Sequence, residues 1–438
     1  MVVSCFFCVS AAVERFELLN GGYWASNAIS TIDNLVSNHL SEVTIAMDTL
    51  STNVQFTKDT YDESQIQCAL EVLKIAGGVR RDLEGFDQKT KDRLRVLSGR
   101  IEADAELDSS LAAMSLPDSL SAVEIETFIS KAVCGTEKNN EISPSVLSPK
   151  EELLLLSKSS TKTVGGINVL FPKSMDSMDR LIKSCQSFVF DICSAIPMKS
   201  LNDMPSLSIW NQGTGIWSSN TDSYGMIPQS YITHVGEHML DLVQAFEPFA
   251  SSNEALQLAN LAMDGVENLA LSSWKEFASA INYIDATDKN FLKTLSNGQA
   301  LKDHVLGQIN QIYEDEDSVE EELDVADTSS AIFCNQWLGV ICSAVTGRLL
   351  ERTMRITCLN QKGCEHLSVD FNYLVNVLSA LGVKDHPHPL LSHIVGVTKM
   401  EPRDVQSRLT TQAEENNPVP KSLQTVDKRL ALMRDIDV

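Results

Sequence analysis

Three clusters in this chain have residue types and spacings that could do chemistry. His234-Val235-Gly236-Glu237-His238 spells H-x-x-E-H, the order found in inverted zinc peptidases. Histidines four apart share one helix face and can ligate zinc, while the glutamate activates a bound water. Such a site needs a third ligand at a defined place, and the sequence points to none. Gly236 also loosens the helix that would hold the pair. The rival reading puts Val235, Met239, Leu242 and Phe246 in a core. His234 and His238 then lie at the edge of that face, hydrogen-bonded or wet, and this reading is preferred.

The second cluster is His386, His388 and His393 beside Pro387 and Pro389. A metal site is one reading. Two prolines so close favour an extended hinge between helices, because the residue before each is pushed out of helical geometry. The third is the acidic run Glu314 to Asp324, with eight carboxylates in eleven residues. It lacks the alternating ligands and central glycine of a calcium loop and reads as a solvated linker. Cys5 and Cys8 form a C-x-x-C that no second pair answers, so a zinc cage is not expected. The chain contains no G-x-S-x-G, phosphate loop or dinucleotide fingerprint. Gly77-Gly78 reads as a helix stop and Gly165-Gly166 as a turn. Trp210 and Trp217 either anchor a partner or pin their loop to a bundle, and Trp337 belongs to a core stripe. No catalytic, cofactor-binding or metal-ligating residue is assigned, and no cofactor is expected.

Charge narrows the partners. The 438 residues hold 35 basic and 59 acidic side chains, a net charge of −24. Phosphate backbones and anionic lipid both call for concentrated Lys and Arg, so nucleic acid and a polybasic membrane grip are disfavoured. Apolar content of 43 % is ordinary for a globular protein, and length allows two to four domains. Ten scattered cysteines and the lack of any N-x-S/T sequon fit a reducing cytosol. No apolar stretch reaches transmembrane length. Val2 to Val13 lacks a preceding basic residue and reads as an ordinary helix start rather than a signal peptide.

The elements that would position these groups are helices. Ile29, Ile32, Val36, His39, Val43, Ala46 and Leu50 keep a 3-4 spacing, like a short coiled-coil seam. Ile66 to Ala76 forms a helix that stops at Gly77-Gly78, and Leu83 to Ala105 forms another. Ser121 with Glu124, and Ser273 with Glu276, read as capping boxes. Pro172 opens a helix ending at Pro197, and Pro248 ends the helix from Tyr231. Residues 198 to 226 read as a long surface loop. Trp337, Val340, Ile341, Ala344, Val345, Leu349 and Met354 make one buried stripe. Phe371, Leu374, Val375, Leu378 and Leu381 make another, which stops at Gly382. Pro402 suits a first turn, and Val426, Leu430, Met433 and Ile436 make a last short helix.

The expected fold is therefore all-α, as tandem antiparallel bundles stacked like a rod. The expected segments are 1–134, a helical remnant of a central bundle, and 135–226, helices with long polar loops. They continue with a bundle at 227–313, an acidic linker at 314–330 and a C-terminal bundle at 331–438.

Several of these residues also carry a resemblance. Trp337-Leu338-Gly339, Phe371 to Leu378 running into Ala380-Leu381-Gly382, His393-Ile394-Val395, and Arg429-Leu430 with Met433-Arg434 are one set. Gly236 to Leu240 followed by Phe246-Glu247-Pro248-Phe249 precedes them in the same order. Together they resemble the seventh subunit of the conserved oligomeric Golgi complex, well over Tyr231 to Val438 and weakly elsewhere. Family members are considerably longer, so the chain resembles their C-terminal portion without the N-terminal helices. Met1 would then be an internal start, a splice variant or a gene-model artefact. The resemblance implies a non-enzymatic tethering subunit acting in intra-Golgi retrograde transport, and through it in glycosylation. It implies a peripheral protein on the cytosolic face of Golgi membranes. Its partners would be the other subunits, with SNAREs, Rab GTPases and coiled-coil tethers, and it would reach the membrane through them. The alternatives are another cytosolic helical scaffold, or a zinc peptidase built on His234, Glu237 and His238.

Overall fold

The structure, a computed structural model, describes residues 11, 25–53, 63–107, 169–211, 226–282, 288–298, 301, 329–414 and 421–437. Among these residues are twelve α-helices and no strand, which is the all-α class the patterning implies. The Cys5–Cys8 pair, Ser121 and Glu124, Gly165-Gly166, Trp217 and the acidic run 314–324 lie outside the described residues.

The chain divides into two compact units that interleave along the sequence. The first takes Met1–Val54, Val72–Phe188 and Leu258–Ala262; the second takes Gln55–Glu71, Val189–Gln257 and Met263–Val438.

The first unit contains α1 (Ala25–Asn53), most of α2 (Glu63–Leu107) and the first half of α3 (Pro172–Ser200). The expected seam on α1 is only half right. Ile29 and Val36 are buried, but Ala46 and Leu50 are exposed, and the buried stripe is Ile29, Asp33, Val36 and Leu40. A carboxylate on that face has a specific cause. The first turn of a helix has backbone N–H groups with no internal acceptor. Asp33 accepts from the N–H of Lys173 (3.1 Å) and of Ser174 (2.8 Å), and from the Ser174 hydroxyl (2.7 Å). It thus caps α3 from a neighbouring helix, as a local N-cap residue would. Asp87 of α2 works beside it. It accepts from the Leu170 N–H at 2.7 Å and from Lys91 Nζ at 2.6 Å, and Phe86 packs on Phe171 with ring centres 5.1 Å apart.

Gly77-Gly78 does not stop a helix. α2 runs straight through it, so the two expected helices are one. The glycine is there for contact rather than for termination. A Cβ on Gly77 would sit 1.7 Å from the carbonyl oxygen of Leu258, which is backbone and cannot swing aside.

The second unit contains α4 (Ser230–Ala250), α6 (Leu271–Ala280), α7 (Lys289–Asn297), α8 (Ser329–Met354), α9 (Gln361–Ala380), α10 (Pro389–Lys399), α11 (Pro402–Glu414) and α12 (Lys421–Met433). The short helix α5 (Asn253–Asn260) bridges the sequence between α4 and α6. α8 packs on α4 and α6, α9 on α4 and α10, and α11 on α12. The α8 stripe is buried as its spacing implies, with Trp337, Ile341, Ala344 and Leu349 fully covered. α9 ends where expected: Gly382 takes φ +63° and donates its N–H to Ser379 O at 3.1 Å. Pro402 opens α11 as expected.

Three boundary expectations are corrected. Pro197 and Pro248 lie inside the last turns of α3 and α4, which continue to Ser200 and Ala250. So near an end, a proline removes one N–H without breaking the turn; Leu201 still donates to Pro197 O at 3.1 Å. Ser273 is no cap. A 3-10 turn, Val266–Ala270, runs directly into α6, and Leu271 already donates to Asn268 O, leaving Ser273 buried inside the helix. Residues 201–211 are not a loose surface loop either. They form 3-10 turns at Met204–Ser206 and Ser208–Trp210, with Leu201, Met204 and Trp210 buried.

Leu430 and Met433 are buried on α12, so a carboxylate at either place would be an unpaired charge in a dry site. Leu430→Asp and Met433→Asp should each lower stability by on the order of 4 kcal/mol in urea unfolding; unchanged midpoints would contradict this packing. On α2, Gly77→Ala should destabilise by about 2 kcal/mol through overpacking. Gly85→Ala, with nothing within 4 Å of the added carbon, should gain up to about 1 kcal/mol in helix propensity. Equal effects at the two glycines, measured the same way, would refute the Leu258 contact.

Candidate functional site

The histidines of the H-x-x-E-H motif are parted by their surroundings. α4 buries Val235, Met239, Leu242 and Phe246, the face its spacing marks out. His238 falls on that face and is 3 % exposed, and its Nε2–H donates to the Cys193 carbonyl at 2.7 Å. His234 and Glu237 are on the exposed side. Burial holds the His238 imidazole below its usual pKa, with the Cys193 carbonyl pulling the other way. The motif is thus a core histidine and two surface residues. Among the described residues, no group of three or more His, Cys, Asp or Glu is placed to hold a metal ion. Gly236, a weakness on sequence grounds, has its own reason: a Cβ there would meet the Tyr373 ring at 2.7 Å, so α4 and α9 approach closely only over glycine.

The second histidine cluster is also dispersed. His388 caps α10, accepting the Leu390 N–H at Nδ1 (3.2 Å). Its Nε2–H donates to Leu295 O of α7 (2.9 Å), and its ring lies 4.7 Å from that of Trp274 on α6. His393 instead reaches Asp427 Oδ1 of α12 at 2.7 Å, while Asp427 Oδ2 accepts from Arg408 Nε of α11 at 3.1 Å. His386 is half-buried in the connector between α9 and α10, which is a turn rather than the expected extended hinge: its N–H donates to Val383 O at 3.1 Å. These residues join helices.

The same logic recurs at the start of α4. Asp370 of α9 is fully buried and accepts from the Gln229 N–H (2.8 Å) and the Tyr231 hydroxyl (2.7 Å). Burial raises its pKa, opposed by these two bonds. Trp210 pins its turn to the bundle: its indole N–H donates to Met204 O at 2.6 Å, and its ring meets Tyr231 edge-on at 6.4 Å.

Sequence reasoning did not single out the most heavily charged part of this unit. On α8, Arg348, Arg352 and Arg355 all pair with Glu351, a fully buried carboxylate. Arg348 also pairs with Glu276 of α6. Arg348 Nη2 and Arg352 Nη2 both donate to Asn202 Oδ1, at 2.9 and 2.8 Å. Desolvation, then the nearby Arg348, lowers the pKa of Arg352. The signal was readable as arginines at i, i+4 and i+7 around one glutamate. Beside Arg348 opens a cleft of about 420 Å³ between residues of α3, α6 and α8. Its lining includes no histidine or cysteine. Cys185, Cys193 and Cys342 lie elsewhere, and burial pushes each thiol up to about 12, which makes them poor nucleophiles.

Helices tied end to side by buried carboxylates and histidines define the class, an all-α protein of packed helices. Comparison with known proteins then makes the assignment particular. The sequence profile of Golgi complex component 7 (COG7) matches residues 2–273, and the chain belongs to that family. The match takes in the N-terminal part, where the resemblance by single residues is weak. Conserved oligomeric Golgi complex subunit 7 of Bos taurus is 21 % identical over 455 residues, covering 98 % of this chain and 48 % of the relative. The Homo sapiens subunit is 22 % identical over 91 % of the chain and 45 % of its own length. The Arabidopsis thaliana subunit is 20 % identical over 86 % of the chain and 40 % of its own length. The chain thus spans about half the length of the curated relatives it matches. No solved structure matches it.

The buried His238 gives a pH signature. Its folded pKa lies below the usual 6.5, so between the two values the unfolded chain binds more protons. Its contribution is complete above about pH 6.5 and is lost as pH falls toward the folded value. His238→Gln should lose less stability than the parent between pH 7 and pH 5 in urea titrations. Parallel pH profiles would contradict the buried neutral imidazole.

Proposed function

We propose that this chain acts as a non-enzymatic subunit of the conserved oligomeric Golgi tethering complex. Its role is in intra-Golgi retrograde vesicle tethering and protein transport, and thereby in keeping glycosylation in balance. The observation that carries the reading is an alignment with subunit 7 of this complex from animals and a plant, over 86 to 98 % of the chain. The all-α construction supports it, because tethering is a matter of surfaces and spacing. The net charge of −24 supports membrane attachment through partners rather than through basic patches of its own. Among the described residues, no helix is long and apolar enough to cross a membrane. In this reading the protein is peripheral, on the cytosolic face of the Golgi. It binds the other subunits and, through the assembled complex, SNAREs, Rab GTPases and coiled-coil tethers.

The test is a tagged purification of the chain from its own cells, with the bound proteins identified by mass spectrometry. The other subunits of the complex should be recovered in near-equal amounts, and the tagged chain should fractionate with Golgi membranes. Recovery of the folded chain without any of them would remove this reading.

A further inference from the structure

α1 carries a second apolar stripe that its own unit leaves open. The helix turns one side to α3: Asp33 caps it, the Ser37 and Ser177 hydroxyls lie 2.9 Å apart, and the Ser184 hydroxyl donates to Asp48 at 2.5 Å. Ile29, Val36 and Leu40 are buried along with Asp33. Beside that packed side run Ile32, Leu35, His39, Val43, Ala46 and Leu50, three or four residues apart throughout. Such spacing holds all six on one face for about five turns. None of them is buried: Leu35 is 53 % exposed, Leu50 is 46 % exposed, Ala46 is exposed, and the other three are half-buried. Single exposed apolar residues are ordinary, whereas a continuous stripe of them marks a contact surface.

The stripe and its borders say what covers it. A repeat of three and four matches the ridge of another helix, and a strand with its period of two cannot follow it. The 29 residues of α1 contain no Lys or Arg, while Glu42 and Asp48 are exposed. Two copies of the chain laid seam to seam would bring these carboxylates together with no Lys or Arg from either helix between them. An anionic lipid surface would meet the same charge, because helices that lie on membranes border their apolar face with Lys and Arg. A helix from another chain, apolar along one stripe and basic along its borders, answers both the spacing and the charge.

We propose that the stripe from Ile32 to Leu50 is the docking seam for an amphipathic helix of another polypeptide, one with Lys and Arg along the borders of its apolar face. That helix lays its apolar residues between Leu35, Ala46 and Leu50 and brings a cation to Glu42. The inference rests on the partner-binding function proposed above and assigns it a place.

A photoreactive benzoylphenylalanine put at exposed Ala46 or Leu50 of the full chain, in its own cells, tests this directly. Leu432 of α12, apolar, 59 % exposed and off the seam, carries the same group as a control. Cross-links from positions 46 and 50 should fall about one turn apart on one helical segment of one co-purifying polypeptide, with Lys or Arg beside the linked residues. They should be absent from position 432. Adding Ala46→Glu should lower the yield at position 50 about tenfold, and adding Glu42→Lys about fivefold, neither with a shift in the melting midpoint. Changing the captured segment's own Lys or Arg to Glu should restore the yield lost to Glu42→Lys. Cross-links that scatter, that match those from 432, or that survive either change would overturn the seam. So would cross-links to a second copy of the chain or to its own residues. Golgi-complex subunits that co-purify normally while positions 46 and 50 capture none would overturn the seam and leave the tethering function standing. A basic helix captured from a polypeptide outside that complex, with its subunits absent, would keep the seam and remove the Golgi reading.

Discussion

A buried carboxylate needs donors around it, and this chain places buried carboxylates where helix ends need acceptors. Asp33 receives the first turn of α3, Asp87 receives its lead-in, and Asp370 receives the first residues of α4. Helix N-termini are electropositive and short of acceptors, so each pairing meets two needs together. It also fixes direction. Apolar stripes let two helices slide or rotate against each other at little cost, whereas a carboxylate bonded to two named N–H groups allows one register. The bundles therefore get their cohesion from Leu, Ile, Val and Phe and their alignment from a few aspartates.

That division explains which parts of the fold could be read from the chain. The stripes of α8, α9 and α12 were legible because periodicity is local and apolar residues repeat it many times. Asp33 was not, because a charged residue on an apolar face counts against a stripe, and its partners lie on a helix far along the sequence. Gly77 was misread for the same reason. Within its own neighbourhood a glycine pair signals an end, and only the Leu258 carbonyl shows that it marks a crossing. Ser273 misled because a capping box is defined by four residues alone, while the turn before it had already satisfied the N–H groups. At the candidate sites, the core reading of His238 followed from Val235, Met239, Leu242 and Phe246. The arginines around Glu351 went unnoticed because the pattern sits inside a strongly apolar helix.

Function followed a different route. Nothing in the residue chemistry selects the Golgi, and the histidine clusters, taken as chemistry, lead toward zinc. The structure instead gives His238, His388 and His393 three different partners, Cys193, Leu295 and Asp427, and leaves His234 at the surface. Family membership supplies the biological setting, and the physical reading supplies helices held in fixed register by buried polar contacts.

Asp427 deserves a last consideration as the meeting point of three helices. It takes one bond from His393 on α10 and one from Arg408 on α11, while itself belonging to α12. Asp427 is thus a keystone: one carboxylate sets the spacing of three helices at once, so a change at that single position would loosen α10, α11 and α12 together.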